Sequence, residues 1–270
     1  MRDERRKRKI LLLVLVMMTL AGKAGSFGDG EELVYNVSYR AALVPNINVM
    51  KVTLRTVSEK SGDTPLYHIV GNGRTGGFVK GFFDLNDTYH SWLDARTLLP
   101  TRMTADIAED SYRFRATYNY DWRAMTVATT TRNAKWDADR FTEMPLTERS
   151  GDALSLLYRL RDIDIDRLTE GTRYPLDLVM DTTTKPIYYT YLGREEVKIR
   201  KVGTFRAIKI RCTMATADGA TYSEGMELTA WVSDDANRIP LLIESPIRIG
   251  SVRVTLASWH VLSPLASKIK

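Results

Sequence analysis

Three glycines in "GNGRTGG", Gly71, Gly73 and Gly76, have the G-x-G-x-x-G spacing that cradles a dinucleotide pyrophosphate. That chemistry needs a strand before the glycines and a helix opening directly after them, so that the helix N-terminus meets the phosphates. "LYHIV" supplies a strand, but "GFVKGFFDLNDTYH" follows, and no βαβ pattern occurs elsewhere. The spacing therefore predicts a flexible hairpin loop over 71–81 and no cofactor. Phe78, Phe82 and Phe83 in this region would form an apolar lip on a binding mouth or pack on the sheet edge.

The acidic run "DIDID" places Asp162, Asp164 and Asp166 at alternating positions, as at the start of a calcium loop. The glycine due at the sixth position is Arg167 and the glutamate due at the twelfth is Arg173, so the run reads as a helix exit with solvated acids. The three histidines, His68, His90 and His260, do not pair at metal-ligand spacing, although His68 and His90 fall on strands that could be neighbours. No G-x-S-x-G elbow is present. Glu195 and Glu196 point to opposite faces of a strand and cannot act as a glycosidase pair. No catalytic residue and no metal ligand is assigned.

Thirteen tyrosines and five tryptophans could stack on sugar rings or fill an ordinary β core. In "IYYTYLG", Ile187, Tyr189 and Tyr191 share one face, and the core reading is preferred. The single cysteine, Cys212, excludes an intramolecular disulfide and reads as a small buried hydrophobe on a strand.

The elements that must position these residues are mostly strands. Period-2 alternation is plain in "LVYNVSYR", "SYRFRATYNY", "MELTAWVS" and "GSVRVTLAS", and about a dozen such segments separated by short turns indicate a mainly β protein with a large antiparallel sheet. One apolar face per strand suits a sheet that curls around its own interior. One stretch breaks the rule. "SGDALSLLYRLR" repeats Leu154, Leu157, Tyr158 and Arg161 at i, i+3, i+4 and i+7, with Ser150 or Asp152 as N-cap and Arg159 and Arg161 at the C-terminal end. It predicts a helix over about 151–162 between strand-rich halves, about 27–148 and 172–262, of one β-rich domain, 27–270. A helix with so broad an apolar face must bury it, and the concave face of the sheet is the cover available.

The N-terminus is read apart. "MRDERRKRK", the apolar run Ile10 to Ala21 and the small residues after it have the layout of a signal peptide, 1–26, with cleavage after Ser26 or after Ala24. The apolar run is too short to span a membrane, so no transmembrane segment remains after cleavage. Residues 1–26 carry seven Lys/Arg and two acids, which accounts for nearly all of the chain's net +6. The basic balance is therefore no footprint for nucleic acid.

With these stretches in view, the chain resembles the exported bacterial family known as domain of unknown function 3108. The resemblance rests on "FGDGEELVYNVSY" (27–39), "SWLDARTLLP" (91–100), "GDALSLLYRLR" (151–161), "VGTFRAIKIRC" (202–212), "AWVSDDANRIPLLIE" (230–244) and "GSVRVTL" (250–256). It implies a periplasmic or envelope location and a spiral β-roll or open, barrel-like coiled sheet with one central helix packed in its concave face. The architecture is similar to lipoprotein-carrier and glycolipid-binding folds, and the resemblance carries over no catalytic residues.

The leading expectation is a non-catalytic envelope protein that holds an amphiphile, a lipid or acyl chain, between the curled sheet and its helix. Leu154, Leu157 and Tyr158 would be wall residues, with Phe78 and Phe82 at the mouth and the Gly-rich loop or the helix as a movable lid. Asp152 and Arg161 would anchor the helix by polar contacts. The alternatives are a glycan- or peptidoglycan-binding module with exposed aromatic platforms, and a structural envelope protein whose helix plugs the roll. An enzyme would require polar groups converging in the cup.

Overall fold

The alternation along each strand becomes an alternation of buried and solvent-facing side chains in the computed structural model, which describes residues 26–41, 44–214, 227–246 and 250–270. In β6 (Tyr112–Asp121), Phe114, Ala116, Tyr118 and Tyr120 are buried while Arg113, Arg115 and Asn119 face water. The expected signal segment 1–26 lies outside the described residues except for Ser26.

The first half of the chain forms β1 (Glu32–Ala41), β2 (Val44–Ser61), β3 (Thr64–Thr75), β4 (Asn86–Asp94), β5 (Pro100–Glu109), then β6, β7 (Thr126–Asn133) and β8 (Arg140–Pro145). A two-residue strand β9 (Ser150–Gly151) and the helix α1 (Ala153–Arg161) follow. The second half forms β10 (Arg173–Met180), β11 (Thr183–Ile199), β12 (Gly203–Met214), β13 (Glu227–Ser233), β14 (Pro240–Pro246) and β15 (Ser251–His260).

Among the described residues, all fifteen strands belong to one sheet, in the order β8 to β1, then β15 to β9. Each half is an antiparallel meander, and the halves join where β1 pairs with β15, from Glu32 opposite His260 to Arg40 opposite Ser251. The exception to antiparallel pairing is β9, which runs parallel to β10. The sheet is mainly β, large and coiled, and it does not close into a barrel: its ends are β8 and β9, consecutive in the chain.

Antiparallel register sorts the turns onto two rims. Segments 76–85, 110–111, 134–139 and 181–182 share one rim, and 62–63, 95–99, 122–125, 200–202 and 234–239 share the other. Between the rims, the inward side chains of both halves form one apolar core.

The helix differs from the expectation in two ways. It begins at Ala153, because Ser150 and Gly151 extend to pair with β10. It is also buried on nearly all sides: Ala153 to Tyr158, Leu160 and Arg161 are buried, and Arg159 is partly exposed. A helix buried all round must have its polar groups satisfied from the sheet.

The glycine-rich region differs too. Gly71 and Gly73 are inward positions of β3, paired with Leu54 and Val52 of β2 on one side and with Tyr89 and Asp87 of β4 on the other. The loop begins only at Gly76 and contains a 3-10 turn, Gly77–Gly81. The period-2 rule failed here because glycine has no side chain to declare which face it occupies.

Candidate functional site

The helix is held at both ends by buried polar side chains. At its start, the Asp152 carboxylate accepts from the backbone N–H groups of Leu154 and Ser155, each at 3.0 Å, and from the Ser91 hydroxyl of β4 at 2.9 Å. Burial pushes the Asp152 carboxyl up, against the opposing pull of those donors. Gly151 permits the close approach of β9, since a Cβ there would lie 2.7 Å from Ser155 Oγ and 3.0 Å from Leu156 Cδ2.

At the other end, the Arg161 guanidinium donates to Glu31 Oε1 at 2.6 Å and to Glu31 Oε2 at 2.7 Å. It also donates to the backbone carbonyls of Ser26 at 2.9 Å and Asn237 at 2.8 Å. Both charged side chains are 1% exposed. Gly30 enters this turn at φ +81°, and its N–H donates to the Thr56 carbonyl, which sets Glu31 beneath the helix. The Tyr158 hydroxyl accepts from Thr56 Oγ1 at 3.0 Å and donates to Glu31 at 3.4 Å, and Phe27 packs edge-on against the Tyr158 ring. Burial and the Glu31 charge push the Tyr158 phenol up. The anchors run from β4 through β2 to the β1 entry and the 234–239 turn. The helix thus lies across the strands, as a floor at one rim of the roll.

Above the first turn of the helix lies a crevice between the two halves. Tyr89, Met103 and Ile107 line it from β4 and β5, Leu154 from the helix, and Val179 and Met180 from β10. Its volume is about 20 Å³, room for about one water. Asp181, in the β10–β11 turn, extends it toward the rim opposite the floor. No backbone ladder crosses between β5 and β10, so side-chain packing alone closes the crevice.

Of the residues singled out from sequence, Leu154 lines this crevice. Leu157 is buried in the general core and Tyr158 belongs to the Arg161–Glu31 network. Phe82 is 74% exposed on the rim opposite the floor, the rim to which the β8 residue Phe141, 76% exposed, is close. The Phe78 side chain lies outside the described residues. Met103 and Met180 were missed because methionines on alternating strands read as ordinary core. Glu31 was missed because nothing local marks a carboxylate destined for burial.

The outer face carries a second cluster. His68 and His90, on β3 and β4, meet ring nitrogen to ring nitrogen at 2.9 Å. Glu59 of β2 bonds the other nitrogen of His68 at 2.6 Å and accepts from Trp92 Nε1 at 3.1 Å. The His68 and Trp92 rings stack at 4.4 Å, and the Arg102 guanidinium sits over Trp92 at 5.4 Å. Burial and the neighbouring His68 lower the His90 pKa, with Glu59 opposing. Among the described residues, no group of three or more His, Cys, Asp or Glu could hold a metal ion. Two of the "DIDID" acids have cationic partners: Asp166 pairs with Arg194 at 2.8 Å and Asp164 with Arg167 at 3.1 Å. Ile187, Tyr189 and Tyr191 are buried, as is Cys212.

The family described as "Protein of unknown function (DUF3108)" matches residues 34–257. No curated protein matches the chain. Among solved structures, the fold is similar to the crystal structure of a β-barrel-like protein of domain of unknown function DUF1849 from Brucella abortus, with a TM-score of 0.54 and 10% sequence identity. The match covers 87% of this chain and 98% of that one, and at this identity it speaks for the fold alone. Among the described residues, no helix is long and apolar enough to cross a membrane.

Proposed function

The chain belongs to the DUF3108 family of proteins of unknown function, and from that premise we propose that it is a non-catalytic binding protein of the cell envelope that takes the apolar chain of an amphiphile into the crevice over the helix floor. The observation that carries this reading is the crevice itself. Its walls are mainly apolar, with Asp181 at one end, it lies between two halves that share no ladder there, and Met103 and Met180 are among its walls. Methionine has three rotatable bonds and adapts to irregular apolar shapes.

At about 20 Å³ the crevice is too small for an acyl chain, so a ligand enters by displacing side chains and not by filling a ready void. Parting β5 from β10 breaks no ladder between them, and the burial of ligand surface, at roughly 25 cal/mol per Å², offsets the repacking. The helix, held by Asp152 and Arg161, stays in place, and the mouth lies at the rim that bears Phe82.

The reading is tested by titrating a fluorescent fatty acid into the leader-free protein, in the natural chain and in Leu154→Phe, with melting curves to check that both fold. Saturable binding weakened at least tenfold in the variant is expected. No saturable binding to the natural chain overturns the reading.

One observation favours a second reading. The helix is buried on nearly every side, as a plug would be, and a structural envelope protein needs no ligand. A glycan-binding reading would have to use outward aromatics such as Trp92, Tyr188 or Trp231, because Tyr189 and Tyr191 are buried.

A further inference from the structure

Ser26 and Phe27 are part of the fold. Ser26 is 3% exposed and Phe27 5%. The Ser26 carbonyl accepts from Arg161 Nη2 at 2.9 Å, one of three acceptors around that guanidinium, with the Glu31 carboxylate and the Asn237 carbonyl. Phe27 packs edge-on against Tyr67 and Tyr158, and the guanidinium lies 5.1 Å from its ring centre.

These contacts discriminate between the two places where a leader could be removed. Cleavage between Ser26 and Phe27 would delete the Ser26 carbonyl and put a new α-ammonium on Phe27. A positive group would then replace an acceptor beside a fully buried guanidinium. Removing an acceptor leaves a proton of a buried charged donor without its partner, and like charges add repulsion in a medium that screens poorly. Cleavage after Ala24 keeps the Ser26 carbonyl inside an amide and puts the new ammonium on Gly25, two residues before Phe27 in sequence. Gly22 and Ala24 are also the small residues that a leader peptidase takes at the third and first positions before the bond.

We propose that the scissile bond lies between Ala24 and Gly25, so that Ser26 is retained and its carbonyl completes the Arg161 cage of the mature protein. The inference rests on the reading of the N-terminus as an exported leader. The step is hydrolysis by a leader peptidase of the envelope. The Ala24–Gly25 C–N bond breaks, the water's hydroxyl goes to the Ala24 carbonyl carbon, and its proton goes to the Gly25 amine.

The test is intact-mass measurement and N-terminal peptide sequencing of the full chain expressed in a bacterium and recovered from its periplasmic fraction. A start at Gly25 is expected. A start at Phe27 or beyond overturns the proposal while leaving the leader reading in place, and a start at Met1 overturns both. A second measurement compares melting midpoints of two purified forms beginning at Ser26 and at Phe27, each released from a removable tag. The Phe27 form should melt lower by at least about 4 °C, from the usual relation of free energy to midpoint for a chain of this size. Equal midpoints would mean that the Ser26 carbonyl does not bear on the cage.

Discussion

Arg161, in the last turn of the helix, and Glu31, just ahead of the first strand, meet in a two-point ion pair 130 residues apart in sequence. Neither side chain reaches water, and the remaining guanidinium donors go to the carbonyls of Ser26 and Asn237. The pair ties the N-terminal segment, the helix and the 234–239 turn into one unit. Burying two charges is costly, and their attraction repays it only with good geometry and further hydrogen bonds, which the Ser26 and Asn237 carbonyls and the Tyr158 hydroxyl add here. Arg161→Met should therefore cost about 3–5 kcal/mol, because it strands the Glu31 carboxylate in the core. Urea unfolding of the single variants and of the Arg161→Met/Glu31→Met pair measures this, and the double variant should lose less than the sum of the two singles. A loss within error of zero for either single variant would mean that the pair does not hold the floor.

Leu154 is 1% exposed and borders the crevice. Leu154→Ala should cost about 2–5 kcal/mol, the usual range for truncating a buried leucine. The same change enlarges the crevice into an apolar cavity, which should bind xenon or benzene as such cavities do. Chemical denaturation and a xenon-pressurised NMR titration check the two parts separately. A cost under 1 kcal/mol would show that the floor is loosely packed at its first turn.

Much of this arrangement is written locally and some is not. Each strand declares its inward face by alternation, as Phe114, Ala116, Tyr118 and Tyr120 do, because a half-buried strand must put like residues two apart. The helix is legible from its leucines, its Asp152 cap and its terminal arginines. Its burial on nearly all sides is not, since a chain with polar residues at Ser155, Arg159 and Arg161 looks half-solvated until their partners are known. Ser155 and Arg159 find theirs nearby, at the Asp152, Ser150 and Glu148 carbonyls, but Arg161 needs Glu31 and the Asp152 cap needs Ser91, and nothing near Glu31 or Ser91 marks it for the interior. The inward glycines of β3 show the opposite failure: a motif with a familiar spacing is the pairing surface of an ordinary strand. The crevice is the least legible feature, because it is made by five segments that meet only after the roll has curled.

The outer-face histidines give a pH signature. His90 faces His68 and Glu59 across β3 and β2, with Trp92 beside it and Arg102 over Trp92 from β5. Its pKa is lowered by burial and by His68. A histidine whose folded pKa lies below its unfolded value of about 6.5 favours the fold above that value and loses this contribution as pH falls through the folded pKa. Stability should thus decline from about pH 6.5 downward, and His90→Asn should flatten that part of the profile. Melting midpoints in a buffer series of both proteins test this, alongside the His90 ring signals by NMR. Identical slopes for the two proteins below pH 6.5 would remove His90 from the acid response.

The central claim, that the crevice over the Asp152–Arg161 floor takes an apolar chain, is tested most directly by native mass spectrometry. The mature protein is recovered from an envelope fraction and measured as isolated, after organic extraction, and again after incubation with mixed lipid. The account predicts a stoichiometric adduct of lipid mass in the first and third measurements, removed in the second and diminished by Leu154→Phe. A clean protein mass throughout, with no lipid taken up on incubation, would contradict it and leave the helix as the plug of a structural protein.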